Sequence, residues 1–132
     1  MDRLFLDANV LFSAAYRADA GLLDLWKLKN VRLCTSYHAL EEARVNLAEP
    51  AQIGRLDKLA LAMELFETPL QELPDQISLP EKDVPIMLGA ISARAAHLVT
   101  GDTRHFGPYF GKEISGVLII LPRDYLKKHG KR

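Results

Sequence analysis

The stretch Leu4–Ala14, LFLDANVLFSA, sets a single acid between two apolar runs. Leu4, Phe5 and Leu6 read as a buried strand within RLFLDA (3–8), and Asn9 opens a short helical segment, NVLFSAAY. Asp7 therefore stands where a strand gives way to a helix. A carboxylate is costly to bury without a partner, so Asp7 is either a helix cap or the first residue of a site.

The same alternation continues along the chain. GLLDLWKLK (21–29) has helical spacing with Trp26 in the core, and VRLCTS (31–36) alternates as a second strand. Ser36 caps a helix over SYHALEEARVNL, which Glu49-Pro50 interrupts. QIGRLDKLALAMELFE (52–67) is the strongest helix, because Ile53, Leu56, Leu59, Ala60, Met63 and Phe66 form one continuous face. TPLQELP (68–74) is expected to hold a short irregular strand. DVPIMLGAISARAA (83–96) reads as a helix with Asp83 at its N-cap and Pro85 in the first turn. HLVTGD (97–102) is a third strand, GVLIILP (116–122) a buried strand, and PRDYLKKH (122–129) a closing helix.

Short strands that are apolar on both faces and alternate with helices predict an α/β fold. It is a three-layer α/β/α arrangement around a mostly parallel, doubly wound sheet. A chain of 132 residues fits one domain spanning 1–132. Apolar residues make up 48% and charged residues 26%, ordinary for a folded domain with its own core. Cys34 is the only cysteine, which excludes an intrachain disulfide and a cysteine metal cluster and suits a reducing compartment. MDRLFLDANV lacks the pattern of a secretory signal, and no apolar run approaches the ~20 residues needed to cross a bilayer. A cytoplasmic protein without membrane attachment is expected. With 17 basic and 17 acidic residues the formal charge is zero, which excludes binding to nucleic acid through a bulk positive field. The one basic cluster, KKHGKR at the end of the sequence, reads as solvated.

In doubly wound sheets the ligand site lies beyond the strand carboxyl ends. Asp7 and Asp102 both end strands there, Asp83 opens the helix that feeds the Asp102 strand, and Glu41 and Glu42 lie early in the helix after the second strand. Each has a bland role available: caps for Asp7 and Asp83, a turn for Asp102, solvent for the glutamates. Helical periodicity leaves Glu41 nearer the packed face than Glu42. Together the acids have a different meaning. Like charges at 4 Å in a near-surface dielectric cost on the order of 4 kcal/mol per pair. A fold that gathers them needs a cation, and carboxylate oxygens suit Mg2+ or Mn2+. Such an ion lowers the pKa of a water and offsets charge on a phosphate, which suits phosphodiester hydrolysis.

LDANVLFSA, then TSYHALEEA, then EKDVPIMLGAISARAAHLVTGDTRHF and the closing GVLIILPRDYL together resemble the PIN-domain family, from Leu4 to about Leu126. The resemblance implies a metal-dependent ribonuclease, commonly the toxin of a toxin–antitoxin pair, leaving 5′-phosphate and 3′-hydroxyl ends. It implies Asp7, Glu42, Asp83 and Asp102 as catalytic metal ligands, with Asn9 and Thr100 supporting them by hydrogen bonds. Counted from Ser36 the family's glutamate falls on Glu42; counted from Thr35 it falls on Glu41; Leu40 favours Glu42. It further implies RNA as substrate, an antitoxin partner and a homodimer. Pro85 and the long 52–67 region depart from the family's compact members.

Lys82, Arg104 and Arg17 are expected in loops at the same edge, with Lys82 and Arg104 the candidates for holding substrate phosphates. His105 lies near the acids and reads as a capping or surface residue; His97 reads as packed at a strand start. No GK[ST] phosphate loop, GxGxxG or GxSxG motif is present. Two other classes compete. One is a PIN-like module that binds RNA or protein without catalysis, a kind that usually lacks one of the acids. The other is a response-regulator-like phosphoacceptor, which needs an acidic pair that RLFLDANV does not offer.

Overall fold

A computed structural model describes residues 1–129; of the basic cluster, Gly130, Lys131 and Arg132 lie outside the described residues. The strands are β1 (Asp2–Leu6), β2 (Val31–Ser36), β3 (Glu64–Phe66), β4 (His97–Val99), β5 (Glu113–Ile114) and β6 (Val117–Ile120). The helices are α1 (Ala8–Tyr16), α2 (Tyr37–Asn46), α3 (Pro50–Leu61), α4 (Val84–Ser92) and α5 (Pro122–His129). The sheet has six strands in the order β3-β2-β1-β4-β6-β5. All neighbours are parallel except the β5–β6 pair. Helices flank it in a three-layer α/β/α architecture, as the alternation of apolar strands and helices predicts.

The chain winds outward from β1 through β2 to β3, then returns to β4 on the other side of β1. The strand order thus reverses between β1 and β4, and a crevice opens at their carboxyl ends. A backbone bond closes that seam, the Asp7 amide donating to the Val99 carbonyl at 3.0 Å, and on the other side of β1 the Thr35 hydroxyl of β2 donates to the Leu6 carbonyl at 2.8 Å. Leu4, Phe5 and Leu6 of β1 are fully buried, because the central strand is covered on both faces. On one of those faces Gly89 of α4 approaches Phe5 so closely that a Cβ there would lie 2.9 Å from the ring.

The largest difference between the sequence expectation and the structure lies in residues 52–74. The 52–67 helix stops at Leu61, residues 64–66 form strand β3, and residues 68–74 carry no strand. No glycine or proline marks the stop. Tertiary contacts supply it instead. The Trp26 indole donates at 3.1 Å to the Leu59 carbonyl, which also accepts from the Ala62 amide at the helix end at 3.2 Å. Leu65 and Phe66 then pair with Thr35 and Ser36 of β2. The Arg3 guanidinium, reaching from β1, meets Glu64 at 2.7 Å and anchors the start of β3.

Two smaller differences follow from turns. Residues 21–27 form a 3-10 helix rather than an α-helix. The edge strand β5 was not expected; it turns into β6 through Ser115 and Gly116, both with positive φ (51° and 84°). Consecutive left-handed residues make the tight hairpin that the Ser-Gly pair encodes.

A candidate metal centre at the carboxyl edge of the sheet

Asp7 directly follows β1 and begins α1. Its Oδ1 accepts from the Ala8 amide at 2.6 Å, so it does cap the helix. Its Oδ2 does something else. It accepts from the Thr100 hydroxyl at 2.7 Å and from Asn9 Nδ2 at 3.2 Å. Thr100, fully buried at the end of β4, also accepts from the Asp102 amide at 3.1 Å. The Asn9 side-chain oxygen accepts from the Gly101 amide at 3.0 Å. One small network therefore locks the β1 and β4 ends together and fixes both Asp7 and Asp102. Burial pushes the Asp7 carboxyl up to about 6; hydrogen bonds from Thr100 and Ala8 oppose this, and the charges of Glu42 and Asp83 add to it.

Asp83 precedes α4 but makes no side-chain cap bond there. It takes the expected N-cap position, but its carboxylate does not do the capping. The residue is buried, and Asp83 Oδ2 receives no aligned hydrogen bond, although His105 Nδ1 lies 2.8 Å away. The same nitrogen lies 3.1 Å from Asp102 Oδ2. Asp102 Oδ1 accepts from the amides of Arg104 and His105 at 3.1 and 3.0 Å, which curls TGDTRHF so that His105 faces the acids. Donor atoms of Asp83, Asp102 and His105 all lie within 4.8 Å of one another.

Asp7, Glu42, Asp83 and Asp102 line a single cavity of about 420 Å³, together with Ala8, Asn9, Phe12, Asn46 and Lys82. Glu42 stands there on α2; Glu41 is not part of that lining and faces Arg44 at 3.7 Å. Asp7 and Glu42 lie outside the tight Asp83–Asp102–His105 group but share its cavity. Of the basic candidates, Lys82 is on the cavity, Arg104 is exposed and absent from its lining, and Arg17 pairs with Asp19 at 3.6 Å.

His105, Phe12 and Asn46 are the site residues that sequence reasoning undervalued or passed over. His105 follows Asp102 by three positions, and that spacing was its only signal. Phe12 and Asn46 carry none, because only the packing of α1 beside α2 brings them to one cavity.

The donor set is mostly carboxylate oxygen, and one buried carboxylate oxygen, Asp83 Oδ2, receives no aligned hydrogen bond. Both features fit a hard divalent cation, with a single imidazole nitrogen as a further donor.

A doubly wound parallel sheet with an acid-lined crevice at its switch point defines the class. Residues 3–104 match the PIN domain family, and the chain belongs to it. Among solved structures the chain is similar to VapBC2 from Rickettsia felis bound to a promoter DNA fragment (18% identity, 90% of this chain and 98% of that one, TM-score 0.63). It is similar to VapBC-1 from nontypeable Haemophilus influenzae (15%, 92% and 98%, TM-score 0.59). It is also similar to VapC20 of Mycobacterium tuberculosis, described as a sarcin-ricin loop cleaving toxin (16%, 75% and 91%, TM-score 0.51). No curated protein matches the sequence. Among the described residues no helix is long and apolar enough to cross a membrane.

Proposed function

We propose that this protein is a metal-dependent endoribonuclease, the toxin of a toxin–antitoxin pair. Residues 1–132 act as one nuclease domain in the cytoplasm. The observation that carries the reading is the gathering of Asp7, Glu42, Asp83 and Asp102 around one cavity at the switch point of the sheet. Membership of the PIN domain family and a fold like that of VapC20, a loop-cleaving toxin, support it.

In this reading those four carboxylates hold Mg2+ or Mn2+. A bound divalent ion supplies Lewis acidity: it lowers the pKa of a water and offsets charge on the phosphate. The residues of the chain do the rest. Thr100 and Asn9 hold the Asp7 carboxylate in one orientation. Asp102 is fixed by the amides of its own turn. Lys82, on the cavity, neutralises part of the substrate's charge. Cleavage leaves 5′-phosphate and 3′-hydroxyl ends. An antitoxin segment covers the cavity when the toxin is silent, and two copies of the chain form the working dimer.

Purified protein incubated with manganese and a mixed RNA pool is expected to cut RNA, and a chelator is expected to stop it. Asp7→Asn is expected to lose roughly 100-fold or more in rate while unfolding at a temperature close to wild type, since the charge rather than the shape is removed. Cleavage that persists at full rate in Asp7→Asn, or in chelator, overturns the metal-dependent mechanism, and a wild type that binds RNA without cutting it overturns the nuclease reading in favour of a non-catalytic binding module.

A further inference from the structure

The cavity has a feature that acids and a metal do not explain. Phe12 forms part of its wall, five residues after Asp7 on α1. An apolar ring contributes nothing to a hydrated ion or a phosphate. The space is also larger than those groups need: an ion with four waters takes about 120 Å³ at the ~30 Å³ share of a liquid water. The cavity of about 420 Å³ has room for a nucleoside as well.

Phe12 does not stand alone. Tyr16 follows it by one helical turn, with ring centroids 5.4 Å apart and planes inclined by 36°. Phe12 is half-buried against the core, while Tyr16 is 51% exposed. The end of α1 that carries Tyr16 is clamped by α3. Arg55 donates to the Ala15 carbonyl at 2.9 Å and to the Tyr16 carbonyl at 3.0 Å, and Gln52 donates to the Tyr16 carbonyl at 3.3 Å. The aromatic pair is thus held on a braced helix, running from the acidic cavity out to solvent.

We infer that Phe12, extended by Tyr16, is the stacking platform for an unpaired nucleobase next to the scissile phosphate. The inference rests on the ribonuclease reading and deepens it. A base presents a π-face to Phe12 only when it is not paired and stacked in a duplex. The platform therefore selects single-stranded segments and sets which phosphate reaches the acids. Stacking on one aromatic ring tolerates any base, so it positions the strand without spelling a sequence.

The test uses Phe12→Ala, Phe12→Leu and Phe12→Trp, assayed with manganese on a single-stranded oligoribonucleotide that the wild type cuts. Phe12→Ala is expected to raise KM by roughly 5- to 100-fold with a smaller change in kcat. Phe12→Leu, which keeps the apolar packing of α1, is expected to fall with alanine, and Phe12→Trp to recover wild-type KM. Tyr16→Ala is expected to raise KM less than Phe12→Ala. Binding of an oligoribonucleotide containing 2-aminopurine, followed in chelator, reads stacking without cleavage. Quenching is expected with the wild type and with Phe12→Trp, and its loss with Phe12→Leu. A wild type that cuts no RNA yet quenches the probe overturns the nuclease reading and leaves the platform standing. A wild type that cuts while Phe12→Leu keeps its KM overturns the platform. Phe12→Ala that keeps its KM but changes the oligomeric state in sedimentation also overturns it, and makes the pair a protein contact.

Discussion

Thr100 shows how much one hydroxyl organises. It is fully buried, donates to Asp7 Oδ2 at 2.7 Å, and accepts from the Asp102 amide at 3.1 Å. It therefore fixes acids from two strands at once, as the outer partners of metal ligands do. Thr100→Val keeps the shape and removes the hydroxyl. It is expected to lower manganese affinity by roughly 10- to 100-fold in calorimetric titration. Unfolding in urea should show a loss of about 1–3 kcal/mol from the unpaired polar groups. Thr100→Ser should recover most of the affinity, because the donor and acceptor return. The residue scale also contains the main surprise of the site. His105 reads from sequence as a capping or surface residue near the acids, yet its Nδ1 lies 2.8 Å from Asp83 and 3.1 Å from Asp102.

At the scale of elements, α4 approaches the central strand β1 at one point. Gly89 lies against the fully buried Phe5 ring, with only 2.9 Å from an ideal Cβ to the nearest ring atom. Phe5 cannot retreat without disturbing the central strand that ends at Asp7. Gly89→Val is expected to cost about 1–3 kcal/mol in urea unfolding through overpacking. The end of α3 makes a related point. Its periodic face continues through Met63 and Phe66, and nothing in the local sequence breaks it. Pairing of Leu65 and Phe66 with β2 outweighs helical propensity there, which is a long-range effect. The β5–β6 hairpin was legible in principle, since Ser115-Gly116 sits between Ile114 and Val117.

At the scale of the whole molecule, both ends of the described chain meet at the amino edge of the sheet, away from the acids. His97 opens β4 and packs edge-on against Tyr125 of α5 at 5.0 Å between centroids, with His129 stacked on Tyr125 at 4.3 Å. Burial lowers the His97 pKa below 6.5, with His129 and Lys128 adding to the effect and Asp2 opposing it. The unfolded chain then binds the proton more readily than the folded one. The His97 contribution to stability is complete above pH ~6.5 and is lost as pH falls below it toward the folded-state value. The Asp7 carboxyl, raised to about 6, works in the opposite direction over the same range, so His97 is read as a difference: in urea unfolding from about pH 7.5 to about pH 5.5, wild type is expected to lose more stability, or gain less, than His97→Gln. Equal slopes in the two proteins would remove His97 as the cause.

The amino-acid sequence by itself determined the layering and the placement of Asp7 and Asp102 at the sheet edge. Hydrophobic runs such as Leu4–Leu6 and Val117–Ile120 specify buried parallel strands locally, and acids directly after strands mark the carboxyl edge. Only the tertiary structure decided that Glu42 rather than Glu41 lines the cavity, that α3 yields to β3, and that Phe12 and His105 join the acids. Those outcomes depend on how helices rotate and pack across long sequence separations. Local periodicity carries no information about such contacts, because their energy comes from partners that are distant along the chain.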